Sequence, residues 1–298
     1  MIQKISQKPA LKRPRLLIIG CGDVGMRLLP LLTPRFRVFA VTRSTTSHEQ
    51  IRAFGAIPLQ VDLDDRASVQ RLQGLAHRVI HLAPPPAQGL LDQRTRNVVA
   101  ILPHGACLVY VSTSGVYGDC SGAWIDETQP LAPRNARAVR RVDAETVLRQ
   151  WARRHGGKLS ILRVPGIYAA DRLPLARLHK GTPALLASED GYTNHIHAAD
   201  LAHITQRALF HARPNRVYHA VDDSQLQMAE YFDLVADHFG LPRPPRLSRL
   251  ECQQAVSPML WSFMAESRRL RNTRIKRELG VRLRYATVFD ALQEIAIT

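Results

Sequence analysis

An α/β fold with a doubly wound parallel sheet and a smaller C-terminal lobe is what this sequence predicts, on three observations. Short, wholly apolar runs alternate with stretches of helical spacing over the first 170 residues. A turn with three spaced glycines joins the first apolar run to the first helix. Beyond residue 170 the regular alternation gives way to shorter segments and proline clusters. The 298 residues, 45% hydrophobic and 22% charged, suffice for one large α/β domain with an added lobe.

Leu16–Ile19 is a strand-sized apolar run closed by Gly20, and Val24–Leu32 has helical spacing up to Thr33-Pro34. Strands over 36–41, 56–59 and 78–82 then alternate with helices over 48–54 and 67–72. A helix over 91–102 leads to a fifth strand over 107–112. After a turn-rich loop from Ser114 to Pro133, an arginine-studded helix over 136–151 precedes a sixth strand over 159–164. Strands alternating with helices specify parallel pairing with both faces covered, and right-handed crossovers then wind the sheet doubly. Downstream, helices are expected near 173–178, 199–211, 228–239, 251–265 and 286–297, with extended pieces at 194–197 and 217–221. The expected division is a mobile lead-in over 1–14, a dinucleotide-binding domain over 15–170, and a lobe over 171–298 that returns some segments to the sheet.

Composition narrows the functional classes. No apolar stretch approaches the roughly 18 residues of a membrane helix, and none of signal-peptide length follows the basic first residues, so a cytoplasmic protein is expected. The four cysteines show no metal spacing and read as thiols; Cys21 reads as packing. His195 and His197 lack a third ligand, and no metal is expected. The net charge, 41 − 25 = +16, would attract polyanions, but the arginines are spread along the chain and nucleic acid is not the expected partner. The densest basic run, Arg268 to Arg277, reads as a solvated face over Leu270, Ile275 and Leu279.

Gly20-Cys21-Gly22-Asp23-Val24-Gly25 follows a strand and opens a helix, the context in which G-x-G-x-x-G binds a dinucleotide. The first glycine permits the turn, the second leaves room for a diphosphate, and the third lets helix and strand pack closely. Helix-start amides then face the phosphates. This is the Rossmann arrangement. After the second strand stand Thr42, Arg43 and Ser44, where an NAD-selective site offers a carboxylate to the ribose. A guanidinium suits a 2′-phosphate, so NADP(H) is expected over NAD(H). Asp62 stands where such folds accept the adenine amino group; the alternative is that Asp62 or Asp64 caps a helix. His81-Leu82-Ala83 ends the fourth strand beside the cofactor path, with Leu82 and Ala83 as backbone contacts and His81 as packing.

With these residues in view, the chain resembles the extended short-chain dehydrogenase/reductases, the family of NAD-dependent epimerases and dehydratases acting on nucleotide sugars. The resemblance also rests on Val111-Ser112-Thr113-Ser114-Gly115-Val116-Tyr117-Gly118, Leu162-Arg163-Val164-Pro165-Gly166-Ile167-Tyr168, His197-Ala198-Ala199-Asp200-Leu201-Ala202 and Leu279-Gly280-Val281. It implies that Thr113 polarises the substrate oxygen, with Ser112 and Ser114 beside it, and that Pro165 lies along the cofactor. It further implies substrate contacts at Ser114, Arg172 and His197, and a homodimer through the 136–151 helix; Asp200, which opens a helix, reads as its cap.

One departure matters. Family members carry Y-x-x-x-K-x-x-x-E; Glu145 matches the glutamate, but Arg141 stands for the lysine and Arg137 for the tyrosine. A guanidinium stays protonated and cannot deliver the proton. Three alternatives stand at this point. Tyr117 serves as substitute acid, its other reading being structural; Thr113 and water suffice for a hydride transfer on a small carbonyl or alcohol substrate, an anionic one if Arg137 fixes it; or the site binds NADP(H) without turnover as a regulator. A polyanion binder is a remote fourth reading.

Overall fold

The structure, a computed structural model, describes residues 13–296. Most of the expected lead-in over 1–14 therefore lies outside the described residues. Strand β1 (Arg15–Ile19), helix α1 (Asp23–Leu32), β2 (Arg37–Thr42), α2 (His48–Ala53), β3 (Ile57–Gln60), α3 (Arg66–Gln70), β4 (Arg78–His81), α4 (Gln93–Val99) and β5 (Cys107–Thr113) follow in strict alternation. Then come β6 (Trp124–Ile125), α5 (Ala136–His155), β7 (Lys158–Val164), β8 (Gly166–Tyr168), α6 (Leu175–His179), β9 (Ala184–Leu185), β10 (His195–His197), α7 (Ala198–His211) and β11 (Arg216–His219). The chain ends in α8 (Met228–His238), β12 (Arg246–Leu247), α9 (Arg249–Ala255), α10 (Pro258–Met264), β13 (Arg269–Leu270), α11 (Thr273–Leu279) and α12 (Val288–Gln293).

Seven strands form the central sheet in the order β11-β7-β5-β4-β1-β2-β3, all parallel. The apolar runs produce this because a strand's side chains alternate between faces. Leu16 and Ile18 enter one core with Val38 and Ala40, while Leu17 and Ile19 enter the other with Phe39 and Val41. Helices α1 and α7 pack together on the first face, α4 and α5 on the second. The sheet order reverses direction at β1 and β4, and the crevice at their C-terminal ends is where such a sheet accepts a ligand. No described helix is long and apolar enough to cross a membrane.

Several expected elements are shorter or divided, each for a local reason. The 91–102 helix begins only at Gln93, because the Asp92 carboxylate accepts from Thr95 N at 3.0 Å as its cap. The 251–265 helix is two helices: Ser257 Oγ accepts from Leu260 N at 3.3 Å, and Pro258 occupies the first turn of α10, restarting the chain in a new direction. The basic run is not a uniformly solvated face. Leu270 lies in β13, which pairs with β6, and Ile275 and Leu279 bury one side of α11. Two of its cations turn inward, Arg268 to Glu266 at 2.8 Å and Arg274 to Glu127 at 3.4 Å.

Helix α7 corrects the cap assignment. His197 is its N-cap, Nδ1 accepting from Ala199 N at 3.3 Å. Asp200, buried in the first turn, instead accepts the backbone N–H groups of Arg284 and Tyr285, both at 2.9 Å. It thereby fixes the segment entering α12 to the sheet's flank. Asp200→Ala leaves two backbone donors, one of them buried, without an acceptor and is expected to cost about 3 kcal/mol in urea unfolding, a hydrogen bond to a charged group contributing roughly 1.5–3 kcal/mol; a loss below 1 kcal/mol would contradict this assignment.

Candidate active site

The site is built from the end of β1 outward. Ile19 O accepts from Leu82 N and Ala83 N at 2.8 and 3.1 Å, which draws the end of β4 against the turn. Gly20 has φ +84°, and a Cβ there would lie 2.6 Å from Ala83 N, so only glycine fits. Gly22 faces open space, with nothing within 4 Å of where a Cβ would stand. At Gly25 a Cβ would meet Cys21 Sγ at 3.0 Å and Leu82 Cδ1 at 3.4 Å. Burial pushes the Cys21 thiol up to about 12, leaving it an inert packing group.

Met26 N is the first α1 amide with a helical acceptor, Gly22 O at 2.8 Å, and no side chain caps the helix. The amides of Asp23, Val24 and Gly25 therefore keep their hydrogen-bonding capacity beside the open Gly22 face. Asp23, whose charge would oppose an anion here, is neutralised by Arg27 at 3.0 Å and Arg172 at 2.8 Å. A cradle of free amides, an absent Cβ and a compensated carboxylate fit a dinucleotide diphosphate. The groove is about 430 Å³ and runs past Thr42, Arg43 and Ser44.

At the end of β2, Thr42 Oγ1 donates to Ser44 O at 2.8 Å and lies 3.0 Å from His48 Nε2, which shapes the loop. Arg43 is exposed and lines the groove, and no carboxylate occupies this strand end. Past β3, Asp62 is exposed, its Oδ1 accepting from Asp64 N at 3.0 Å. Neither residue caps α3. Asp65 does, accepting from Ala67 N at 2.9 Å and Ser68 N at 3.2 Å, while Asp64 pairs with Arg94 at 2.7 Å. His81 is packing, buried with Nε2 3.0 Å from Thr95 Oγ1.

The groove adjoins a cavity of about 760 Å³, Pro84 and Arg172 lining both. Thr113, Ser114 and Pro165 face this cavity. Thr113 Oγ1 accepts from Gly115 N at 3.2 Å, capping the tight turn that follows β5. Arg141 projects from α5 across the strand ends, Nη1 donating to Tyr110 OH and Val111 O, both at 2.9 Å. Arg137, one turn earlier, donates Nη2 to Ser262 Oγ at 2.9 Å and lies 4.3 Å from the Phe263 ring, holding α10 over the cavity. Arg172, expected at the substrate, spans the boundary between cavity and groove through its bond to Asp23.

Two expected site residues point elsewhere. Tyr117 is buried and absent from the cavity wall; its OH donates to His219 Nε2 at 2.5 Å and accepts from Arg163 Nη1 at 2.6 Å. The His219 tautomer follows, since Nδ1–H donates to Arg271 O at 3.1 Å. Arg163 also forks Glu145 at 3.2 and 2.7 Å, and Glu145 accepts from Ser112 Oγ at 2.8 Å. Desolvation pushes Tyr117 up to about 12. A phenol so enclosed has no path to a substrate, and the substitute-acid reading is withdrawn. His197 likewise sits away from the cavity, its ring 3.9 Å from Tyr285 and its Nδ1 engaged as the α7 cap.

The cavity wall also includes His195, from the 194–197 stretch that resembles the lining of the family's substrate lobe, and Arg140 and Arg177, which sequence reasoning did not place there. For Arg140 a signal existed, because residues three and four apart share a helix face, and Arg137, Arg140 and Arg141 are so spaced. Arg177 arrives from a separate lobe segment, with no local signature.

The glycine turn, the strand order and the crevice at the β1/β4 reversal define a dinucleotide-binding α/β protein of the Rossmann class. Within that class, residues 16–222 match the model of the NAD dependent epimerase/dehydratase family, and the chain belongs to this family. It is 30% identical over 247 residues to a UDP-glucose 4-epimerase of Azospirillum brasilense, covering 67% of this chain and 69% of that protein. Among solved structures, a conserved protein of unknown function from Silicibacter pomeroyi superposes with TM-score 0.75 at 31% identity, over 94% of this chain and 97% of that one. A Thermotoga maritima UDP-glucose 4-epimerase solved with UDP-glucose gives TM-score 0.76 at 16% identity, over 94% and 96%, and shares the fold.

Burial also sets a pH dependence. Loss of solvation holds His81, His195 and His219 each down to about 3, and lifts Asp222 to about 7. Between pH 6 and 4 the unfolded chain therefore gains three imidazole protons that the folded one does not take, while folded Asp222 holds one that the unfolded chain has lost. The net difference, 3 − 1 = 2 protons, makes these groups lower stability by about 3 kcal/mol per pH unit as pH falls through this window. Urea unfolding across pH 6 to 4 is expected to show a steep fall, less steep by one proton in His219→Gln; a flat profile contradicts the buried neutral histidines.

Proposed function

We propose that this protein is an NADP(H)-dependent oxidoreductase of the epimerase/dehydratase type, acting by hydride transfer on a small carbonyl or alcohol substrate that carries negative charge. The observation that carries the reading is continuity: the diphosphate cradle runs into the cavity where Thr113 and Arg141 stand beside Pro165. The Arg43 guanidinium, at a strand end without a carboxylate, supports a 2′-phosphate. Among the described residues Glu266 is the one acid of the cavity wall, and it is paired with Arg268. Arg137, Arg140, Arg141 and Arg177 have no carboxylate partner there.

When bound, the nicotinamide supplies or accepts the hydride. The Thr113 hydroxyl polarises the substrate oxygen, and the fixed Arg141 cation stabilises negative charge that develops on it, without reorganising as it does so. Arg141 holds its own proton, so the proton that completes a reduction comes from water. Arg137, anchored to Ser262, orients the substrate and keeps α10 closed on the cavity. Arginines at both family positions for tyrosine and lysine support a second reading, an NADP(H)-binding regulator without turnover.

Two measurements separate these readings. In calorimetric titration Arg43→Glu is expected to weaken NADPH binding about 10- to 100-fold, as loss of a charge-assisted pair contributing roughly 1.5–3 kcal/mol implies, and to leave NADH binding unchanged; equal effects on both would overturn the NADP(H) preference. NADPH consumption with a panel of anionic aldehydes, ketones and nucleotide sugars is expected to reveal turnover that Thr113→Val lowers at least tenfold. Tight NADPH binding with no turnover across the panel favours the regulator.

A further inference from the structure

Arg140 poses an electrostatic problem that the described residues do not solve. It projects from α5 into the corner between that helix and the β4–α4 connection, where it lines the cavity with Pro84, Pro85, Pro86 and Ala87. Only 4% of the residue is exposed. Its one hydrogen bond is from Nη1 to Gly89 O at 2.6 Å, and its Nε is buried with no acceptor. No carboxylate lies within ion-pairing distance among the described residues. The two acids of this corner are already engaged. Asp92 accepts from Thr95 N and Oγ1 at 3.0 and 2.8 Å, and Asp143 accepts from Arg96 Nη2 and Asp92 N at 2.5 and 2.8 Å. Proline carbonyls cannot neutralise the charge, and Arg94, itself a cation, already occupies those of Pro84 and Pro85 at 3.2 and 3.4 Å.

A guanidinium keeps its charge when buried, and a buried charge costs several kcal/mol unless it is paired. Among the described residues no such partner is available, and a ligand's oxyanion would supply it. Because Nη1 is committed to Gly89 O and Nε is enclosed by protein, Nη2 is the nitrogen that remains to donate a charge-assisted hydrogen bond to a carboxylate or phosphate oxygen. Arg137 adds a second cation from the same face of α5 and Arg141 a third, so an oxyanion entering this corner meets a field of one sign.

We propose that Arg140 is an oxyanion subsite: the cavity's ligand carries a carboxylate or phosphate group that docks on Nη2 of this guanidinium. The inference rests on the proposed oxidoreductase reading only in taking the reacting carbon to lie on the same ligand. The subsite is separate from the cradle at the start of α1, which uses backbone amides and serves the cofactor.

The test is calorimetric titration of the full chain, saturated with NADP+ so that the cradle is filled, using oxalate and inorganic phosphate as probes against chloride at equal ionic strength. Saturable binding of at least one oxyanion is expected in the wild type, and the preferred probe distinguishes a carboxylate from a phosphate ligand. Arg140→Gln, which retains a hydrogen-bonding head and loses the charge, is expected to bind at least tenfold more weakly and to melt no lower than wild type without the anion. Arg140→Lys, which keeps the charge and loses the guanidinium head, is expected to fall between the two. Undiminished oxyanion binding in Arg140→Gln overturns the proposal. So does a large drop in its melting temperature, or failure to fold, because the cation would then be a strut for Gly89; in that event wild-type affinity in Arg140→Lys overturns the guanidinium contact independently. NADPH binding by each variant is recorded alongside. If wild-type protein takes up no nicotinamide nucleotide, the oxidoreductase reading fails, and oxyanion titration of the nucleotide-free protein, wild type against Arg140→Gln, still decides the subsite.

Discussion

The turn between β1 and α1 constrains nearly everything around it. Gly20 can approach Ala83 only because neither a side chain nor a negative φ is required of it, and that approach lets Ile19 O take both the Leu82 and Ala83 amides. The ends of β1 and β4 are thereby locked together at the place where the sheet order reverses. Helix α1 starts at once, with three amides uncommitted, because Gly22 provides no capping side chain and no obstruction. A single tight turn thus sets the sheet register, the crevice and the direction of the helix dipole.

A second constraint lies beneath the cavity. Ser112, Glu145, Arg163, Tyr117 and His219 form one buried chain of hydrogen bonds that ties β5, α5, β7 and β11 together. Each member is satisfied by its neighbours, which is what makes two buried charges tolerable in such a place. The same satisfaction removes Tyr117 from chemistry, since a hydroxyl that donates to one residue and accepts from another inside the protein has nothing to offer a ligand. Arg141 differs, standing at the strand ends with a carbonyl and a phenol as partners and no carboxylate. The contrast between the paired Arg163 and the unpaired arginines of the cavity separates structure from recognition in a chain so rich in arginine.

The sheet was legible because fully buried parallel strands are apolar on both faces, so runs such as Leu16–Ile19 stand out without alignment. The cofactor turn was legible for a related reason: its chemistry is carried by backbone, and glycine spacing reports backbone directly. Side-chain direction was harder to read. Asp62, Asp64 and Asp65 are near-equivalent in sequence, and the helix takes as its cap whichever carboxylate the turn brings to its first amides. His197 was read as a substrate contact because of its motif, but its position at the start of α7 gives it a cap's work. Helix α11 has no sequence signal of its own because seven residues carry too few turns for a periodic pattern, and two of its three exposed residues, Lys276 and Arg277, are cations. Arg140 lay on a legible helix face; its lack of a counter-ion depends on what Asp92 and Asp143 do in three dimensions, and no spacing rule reports that.

The amides of Asp23, Val24 and Gly25 give the most direct measure of the account, since everything functional follows from their holding a diphosphate. Amide chemical shifts followed while NADP+ is added to the labelled protein are expected to move most at these three residues, with Arg43 moving as the 2′-phosphate settles. Shifts confined to other parts of the chain, or none at all at saturating nucleotide, would contradict a cofactor seated at this turn.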